Sequence, residues 1–326
     1  MNCRRAASAA FQENIGRQGA LCFPHGLEIM ALADYHSLGN RKVSYIDIAY
    51  KIASYDIELY TAFQYHLRYY KLIHWDINIR ILASKSLACL TQLYRSKTIH
   101  LLDELINDSV TINRSVEIRH GCLLGVAELL YALYITYATA TPKPTINTLV
   151  HTNTNNNNND ITYNTNDNIN SNGTTNTTHI SNNTNCIICP SDELIDRAIS
   201  IIPTLQTQRL YRGKNTAYLR IVSCYVIQTL DCCKLLPQNS PQSSKTQILL
   251  LDFLNENLRQ PYNKIQISAK FALRQLLFIY YGININSIPS KVLVNKTYET
   301  YIHGIVYEEN VAVTRGYAQA LSKWYI

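Results

Sequence analysis

Apolar residues recur along most of this chain at the three- and four-residue spacing of helices that bury one face. One such stripe in residues 74–94 contains Ile79, Ala83, Leu87 and Leu90. The same spacing predicts helices over residues 4–11, 27–38, 43–72, 74–94, 99–108, 115–138, 191–202, 215–235, 247–259, 263–281, 290–303 and 309–325. The chain is therefore predicted to be all-α, with short links between most helices.

Residues 43–72 leave room for a different interpretation, because Tyr and Ile are abundant there and both favour strands. The spacing of Ile48, Ile52 and Leu59 fits helical steps better, so we expect a helix. Two segments rich in Gly, Pro, Ser or Gln, residues 16–26 and 236–246, are predicted to be loops.

An arginine followed three positions later by a small residue recurs near the start of several predicted helices. The arginines are Arg80, Arg119, Arg220 and Arg315. Arg80 and Arg119 are 39 residues apart, and Arg220 and Arg315 are 95 apart, about two such steps. A period near 40 built from two helices is typical of HEAT and armadillo units. The alternative is a chance recurrence among generic amphipathic helices.

These arginines are expected to form a ladder that stabilises the repeats. Each can bond to the turn before its helix or to an acid in the next unit, and Asp76 is a candidate partner. Residues 264–277 share the apolar rhythm but lack the arginine.

Residues 151–185 are almost entirely Asn and Thr, which bury too little apolar surface to order a chain. This predicts a disordered insertion over residues 141–189, between helical repeats at 1–140 and 190–326 that form one solenoid. The Ala-rich stretch at 4–11 has no lead-in, so we expect the chain to be an internal to C-terminal fragment of a longer array.

Composition agrees with a helical array, since 11 Gly and 9 Pro are few for a sandwich or barrel. The net charge is +7, without a block of five basic residues, so charge alone does not indicate nucleic-acid binding. The mild excess fits an ordinary solvated surface or one that suits an acidic protein partner. No apolar run is expected to reach the ~20 residues of a membrane span.

The sequence contains no phosphate-binding, dinucleotide-binding or hydrolase motif, and therefore no residue to assign to catalysis, cofactor binding or metal binding. The nine cysteines are predicted to be free thiols in a reducing compartment. Cys186 and Cys189 form a single CxxC pair, while zinc ribbons need a second pair. An enzyme would require a pocket of convergent polar groups that the sequence does not indicate.

Several segments resemble the tubulin-folding cofactor D family, in the family's order. They are NCRRAASAAFQENIGRQG at 2–19, FPHGLEIMALADYHSLGNR at 23–41, HWD at 74–76, EIRHGCLLGVAELLYAL at 117–133, QRLYRG at 208–213 and VTRGYAQAL at 313–321. Members of this family are much longer HEAT and armadillo solenoids. The Asn/Thr-rich segment departs from the family pattern, as does a last repeat that is one residue short after Arg315.

The resemblance implies a scaffold without catalytic chemistry of its own. Such a protein binds β-tubulin and, with cofactors C and E, assembles the αβ-tubulin heterodimer and stimulates GTP hydrolysis by tubulin. An ADP-ribosylation-factor-like small GTPase is a further implied partner, and the implied location is the cytoplasm and its microtubule cytoskeleton. The alternative is a generic HEAT-repeat adaptor or scaffold for another client.

Two turns are candidate partner contacts because their residues are unusual for plain linkers. They contain Phe23, Pro24 and His25 in one case, and Tyr211 and Arg212 in the other. A structural role, in which the turns fix helix packing, is the alternative for both.

Overall fold

A computed structural model describes residues 2–18, 25–37, 39–140, 190–213, 216–237, 241–281 and 288–322 of the chain. The predicted insertion at 141–189 lies outside these residues, and so do Phe23, Pro24, Cys186 and Cys189. All regular secondary structure within the described ranges is helical.

The helices follow one another in pairs joined by short turns. They are α1 Asn2–Gln18, α2 Gly26–Ser37, α3 at 41–53, α4 at 57–71, α5 Ile77–Leu90, α6 Arg95–Val110, α7 Val116–Ala140, α8 Asp192–Thr207, α9 Ala217–Cys232, α10 Pro241–Leu258, α11 Asn263–Tyr281, α12 Ile288–Tyr307 and α13 Val311–Leu321. Helix α3 consists of Arg41–Val43, the π-helical segment Ser44–Ile48 and Ala49–Ala53, while α4 consists of Ile57–His66 and the π-helical segment Leu67–Lys71.

The paired helices form two layers. Helices α3, α5, α7, α9, α11 and α13 contact one another in succession, and we call them the B layer. The A layer contains α2, α4, α6, α8, α10 and α12, each packed against the B helix that follows it. The all-α helical-repeat fold predicted from the sequence is confirmed.

Helix α7 lies in the middle of the B layer, between α5 and α9, with α6 across the layer. Every side chain from Arg119 to Leu130 is buried. This explains why the sequence of α7 is apolar nearly all the way round.

The sequence predicted no apolar segment long enough to cross a membrane. Judged by length and composition alone, α7 contradicts this prediction. Among the described residues, Val116–Tyr137 is long and apolar enough, although 67% of the window is buried against its neighbours. Buried Arg119 and Glu128 lie within this window. Helix α7 therefore serves as a core helix of the two-layer stack.

The single helix predicted over 43–72 is wrong in one respect, because the chain bends between α3 and α4 at residues 54–56. Asp56 begins α4, and its carboxylate accepts a hydrogen bond of 2.7 Å from the backbone N–H of Leu59. An aspartate in this position starts a new helix because it satisfies a first-turn N–H group.

Two other boundaries differ from the prediction. The loop expected over 236–246 is shorter, because α10 begins at Pro241, and proline is well accommodated at a first helical position. Helix α8 continues beyond residue 202 through Pro203 to Thr207. Leu205, fully buried after the proline, extends the apolar face of α8.

Contacts connect the helices on the two sides of residues 141–189. The guanidinium of Arg197 in α8 bonds to Asp103 and to Asn107, both in α6. In the B layer, the hydroxyl of Tyr225 in α9 donates to Glu128 in α7 at 3.1 Å. Helices α8 and α9 therefore continue the layers that α6 and α7 form.

Candidate functional site

The turns that join each A helix to the next B helix lie together along one side of the stack. We call this side the turn edge; its described residues are 39–40, 72–76, 111–115, 208–213, 216, 259–262 and 308–310. The B helices start at this edge, so their N-terminal ends, which carry a partial positive charge, are all directed toward it.

Three of the predicted ladder arginines occupy the fourth position of their B helices and bond to carbonyl groups of the preceding turn. In α5, Nη1 of Arg80 donates to the carbonyl oxygens of His74 and Trp75 at 2.6 and 3.0 Å. These bonds satisfy buried polar groups that no helix pairs, and they fix the path of the turn.

The same arrangement recurs in the next two pairs of helices. In α7, Arg119 donates to the carbonyl oxygens of Ser109 at 3.0 Å and Arg114 at 3.3 Å. In α9, Nη2 of Arg220 donates to the carbonyl oxygen of Tyr211 at 3.2 Å.

Two of these arginines also contact a neighbouring helix. Nε of Arg80 donates to Nδ1 of His120 in α7 at 3.1 Å. Arg220 donates to Asn257 at 2.7 Å and to Glu256 at 2.8 Å, both in α10. The ladder residues therefore connect successive pairs as well as their own turns.

His120 is an uncharged member of this network. Its burial, and secondarily the positive charge of Arg80, lower the pKa of its imidazole to about 3. A neutral imidazole is what the contact requires, because Nδ1 must carry a lone pair to accept from Arg80.

Asp76, the candidate ladder partner, does not bond to a ladder arginine. Its carboxylate accepts from the backbone N–H of Asn78 at 2.9 Å and lies 3.4 Å from Arg41 at the start of α3. Asp76 directly precedes α5, and the short side chain is used as a helix cap there.

Helix α11 has no ladder arginine, and Gln266 takes the place of one. The sequence analysis did not identify this residue. Its Nε2 donates to the carbonyl oxygens of Leu258 and Gln260 at 2.9 and 2.8 Å, and to that of Ala312 at 2.7 Å. Gln266 is the fourth residue of α11, as Arg80 is of α5, so register along the helix could have revealed it.

Arg315 departs from the other ladder arginines because it is exposed and bonds to the preceding pair rather than to its own turn. Its Nε donates to Oε1 of Gln266 at 2.8 Å and its Nη2 to the carbonyl oxygen of Pro261 at 2.7 Å. Arg315 is the fifth residue of α13.

Two glycines allow B helices to approach the ends of earlier A helices. A Cβ atom on Gly121 would lie 1.9 Å from the carbonyl oxygen of Leu72, and one on Gly316 would lie 1.9 Å from that of Leu258. No side chain fits at either position without a shift of the backbone.

A groove of about 650 Å³ lies on the turn edge between the turn before α9 and the turn before α11. We call it the turn groove; its lining includes Tyr211, Arg212, Thr216, Arg220, Gln260 and Tyr262. Tyr262 is 64% exposed, so one face of an aromatic ring is available to a partner.

The two candidate residues at this groove differ in character. Tyr211 is buried: its hydroxyl lies 2.8 Å from that of Ser223 and its ring lies against Phe253 at 5.0 Å. Burial raises the pKa of the Tyr211 hydroxyl, so it remains protonated. Arg212 is exposed and lines the groove. Tyr211 is therefore a packing residue, while the side chain of Arg212 is open to the groove.

The other candidate turn is described only at its end. His25 is exposed, has a left-handed φ of 55°, and its carbonyl oxygen accepts from the N–H of Ile29 in the first turn of α2. The structure places His25 in a helix-starting turn but does not bring it to the turn groove.

Possible reactive chemistry is limited in the described part of the chain. Its cysteines, among them the adjacent Cys232 and Cys233, are free thiols. Within it, no group of three His, Cys, Asp or Glu side chains is arranged to hold a metal ion. Burial raises the pKa of the Cys122 thiol to about 11, which keeps this thiol protonated and unreactive.

Comparison with known proteins bears on the resemblance found in the sequence. Residues 1–27 match the model of a family described as tubulin-specific chaperone D-like ARM repeats. A 134-residue stretch, 41% of this chain, is 37% identical to Tubulin-specific chaperone D of Dictyostelium discoideum. Over these stretches, the chain is similar to tubulin-specific chaperone D. Both matches support, over part of the chain, the family resemblance found in the sequence.

The chain is short beside its chaperone D relative. The matched stretch covers only 9% of the length of the Dictyostelium protein. No solved structure matches the chain. The similarity to a family of ARM repeats agrees with the layered helical pairs, since armadillo repeats have this architecture.

Proposed function

We propose that this chain is part of a tubulin chaperone, a helical-repeat scaffold that binds β-tubulin. The observation that carries the proposal is its 37% identity, over 134 residues, to Tubulin-specific chaperone D of Dictyostelium discoideum. The net charge of +7 supports it, because tubulin is a large acidic protein and complementary charge favours association.

In its fuller form, the proposal follows the chaperone D family. The scaffold joins cofactors C and E, and the assembly produces the αβ-tubulin heterodimer and stimulates GTP hydrolysis by tubulin. An ADP-ribosylation-factor-like small GTPase is a further proposed partner. The proposed site of action is the cytoplasm, in association with the microtubule cytoskeleton. The chain contributes no catalytic group, and the nucleotide chemistry belongs to tubulin.

The ladder suggests how a scaffold of this kind keeps its binding surface ready. Arg80, Arg119, Arg220 and Gln266 bond the turns to the B helices, so that exposed side chains on the turn edge are held on a rigid base. The scaffold therefore loses less conformational freedom when a partner binds.

The proposal is tested by capture of tubulin on the immobilised 326-residue chain. Purified β-tubulin should be retained, while serum albumin, another acidic protein, should not. A chain that shows the expected helical circular dichroism and retains neither protein would contradict the proposal. Retention of both proteins, or of another client in place of tubulin, would favour a generic adaptor.

The fuller form has its own measurement. GTP hydrolysis by tubulin, in the presence of cofactors C and E, should rise when the chain is added. An unchanged rate together with retained β-tubulin would limit the function of this part of the protein to binding.

A further inference from the structure

The two turns beside the turn groove and the helices that flank them carry an excess of positive charge, and two of these cations, Arg212 and Arg220, line the groove itself. Between residues 208 and 220 and between residues 256 and 266, the described cations are Arg209, Arg212, Arg220, Arg259 and Lys264. Glu256 is the acid in these two segments. Such a local excess attracts anionic groups more strongly than the mild net charge of +7 suggests.

One carboxylate is already bound at this groove. Glu256 accepts a hydrogen bond of 2.8 Å from Nη2 of Arg220, whose side chain is 7% exposed while that of Glu256 is 49% exposed. A largely buried guanidinium that holds a half-exposed carboxylate demonstrates the geometry that an acidic side chain would adopt here.

The other cation that lines the groove has no ion-pair partner. Among the described residues, Arg212 is exposed and forms no salt bridge. The situation differs at other turns, where Arg41 lies against Asp76 and Arg114 against Asp108.

The start of α9 also differs from the start of α5. Asp76 supplies a carboxylate that caps α5. Thr216, which precedes α9, makes no side-chain cap, since its hydroxyl donates to the carbonyl oxygens of Tyr211 and Gly213 at 3.3 and 3.0 Å. The Thr216 side chain therefore satisfies turn carbonyl groups and not a first-turn N–H group of α9.

We propose that the turn groove binds an acidic, extended peptide segment of a partner protein. A carboxylate of the segment contacts Arg212, and the backbone of the segment lies against Tyr262 and the amide of Gln260. This inference rests on the proposed scaffold function, because it assumes a protein partner.

The groove suits a peptide better than a nucleic acid. Nucleic-acid surfaces require a track of cations that follows many phosphates, whereas the excess here is confined to two turns. Gln260 offers both a donor and an acceptor, which match a peptide backbone. The half-exposed Glu256 would repel a continuous phosphate chain.

Fluorescence anisotropy with a labelled glutamate–glycine repeat peptide provides the test. The peptide has about twelve residues, which can extend over both turns at roughly 3.3 Å per residue. A glutamine–glycine peptide of equal length is the neutral control. The whole 326-residue chain is used, and circular dichroism shows that each variant keeps its helical content.

The variants place the same change of charge at two edges of the stack. Arg212→Glu alters the turn groove. Lys234→Glu, at the opposite end of α9, changes an exposed cation by the same amount. We expect Arg212→Glu to weaken binding of the acidic peptide about tenfold at about 0.05 M salt, and Lys234→Glu to change it less than twofold.

Several outcomes would overturn the inference. If both variants lose affinity for the acidic peptide equally, the attraction is unspecific. If the neutral peptide binds as tightly as the acidic one, charge does not determine binding. Tighter binding of a single-stranded RNA with the same dependence on Arg212 would assign the groove to nucleic acid.

Failure of this inference can be told apart from failure of the proposed function. If no acidic peptide binds but β-tubulin is still retained, the groove inference is wrong and the scaffold proposal stands. If the peptide binds in the expected manner but β-tubulin is not retained, the groove is a site for acidic peptides and its partner is a protein other than tubulin.

Discussion

At the scale of single residues, the turns depend on side chains that donate to carbonyl groups. Arg220 bonds to three residues, Tyr211, Asn257 and Glu256. Its side chain is almost fully buried, so water cannot replace the bonds that it makes.

Replacing Arg220 with alanine should therefore lower the free energy of unfolding by about 2–4 kcal/mol, because buried acceptors lose their donor. Urea denaturation followed by circular dichroism measures this loss. Arg212→Ala, an exposed neighbour, is the control and should change stability by less than about 0.5 kcal/mol. Similar small effects in both variants would contradict the structural role of Arg220.

His120 predicts a pH dependence of stability. Its pKa is lowered from 6.5 to about 3 in the fold, chiefly by burial. Below about pH 6.5 the unfolded chain takes up a proton that the folded chain does not, so stability falls as pH decreases toward 3. The loss is about 1.4 kcal/mol per pH unit.

The measurement compares wild type with His120→Gln, which keeps an acceptor for Arg80. Between about pH 7 and about pH 5, wild type should lose about 2 kcal/mol more stability than the variant. The comparison is needed because buried Asp231 acts in the opposite sense, its pKa being raised by burial. Parallel pH profiles would show that His120 titrates normally in the fold.

Residue types in the sequence indicated part of this network. The period of Arg80, Arg119 and Arg220 predicted residues with a common place in the repeat. It did not reveal Gln266, because an amide and a guanidinium look unlike in sequence although both donate to turn carbonyls. It also assigned Asp76 to the wrong partner, since spacing along the chain does not show which cation lies across a layer.

At the scale of helices, the bend between α3 and α4 is the clearest departure from the predicted pattern. Apolar spacing continues across residues 54–56 because both helices bury a face in the same stack. The bend is set by the cap at Asp56, a local signal that a periodicity argument does not weigh.

Asp56→Ala should destabilise the chain by about 1 kcal/mol, since the N–H of Leu59 loses its acceptor at 2.7 Å. Thermal or urea unfolding gives the value. Glu299→Ala removes an acid from an exposed position inside α12 and should be close to neutral. If Asp56→Ala is equally neutral, the cap does not set the start of α4.

At the scale of the whole molecule, each pair of helices contacts mainly the pairs beside it. Stability in such a stack is roughly a sum of local contributions, so damage in one pair is felt mainly by its neighbours. The repeat period near 40 was enough to predict this architecture from sequence. The sequence did not reveal which edge of the stack bears the turns, because that depends on how the layers face each other.

Gly316→Ala tests this locality. The added methyl group would meet the carbonyl oxygen of Leu258 at 1.9 Å, so α13 must move away from α10. Hydrogen exchange followed by mass spectrometry should show faster exchange in α10 to α13 and unchanged exchange in α2 to α5. Gly39→Ala, where the new atom finds only a contact of 3.7 Å, should leave both regions unchanged. Faster exchange throughout the chain would contradict a local response.

The direction of α7 has a practical consequence for imaging and engineering. This helix begins at the turn edge with Val116 and ends at Ala140, and its 25 residues extend over about 37 Å. The chain leaves α7 and returns at Pro190 on the side of the stack away from the turn edge. A fluorescent reporter domain inserted between these two points would be attached away from the turn groove, which suits it to follow this protein in living cells with its partner surface uncovered.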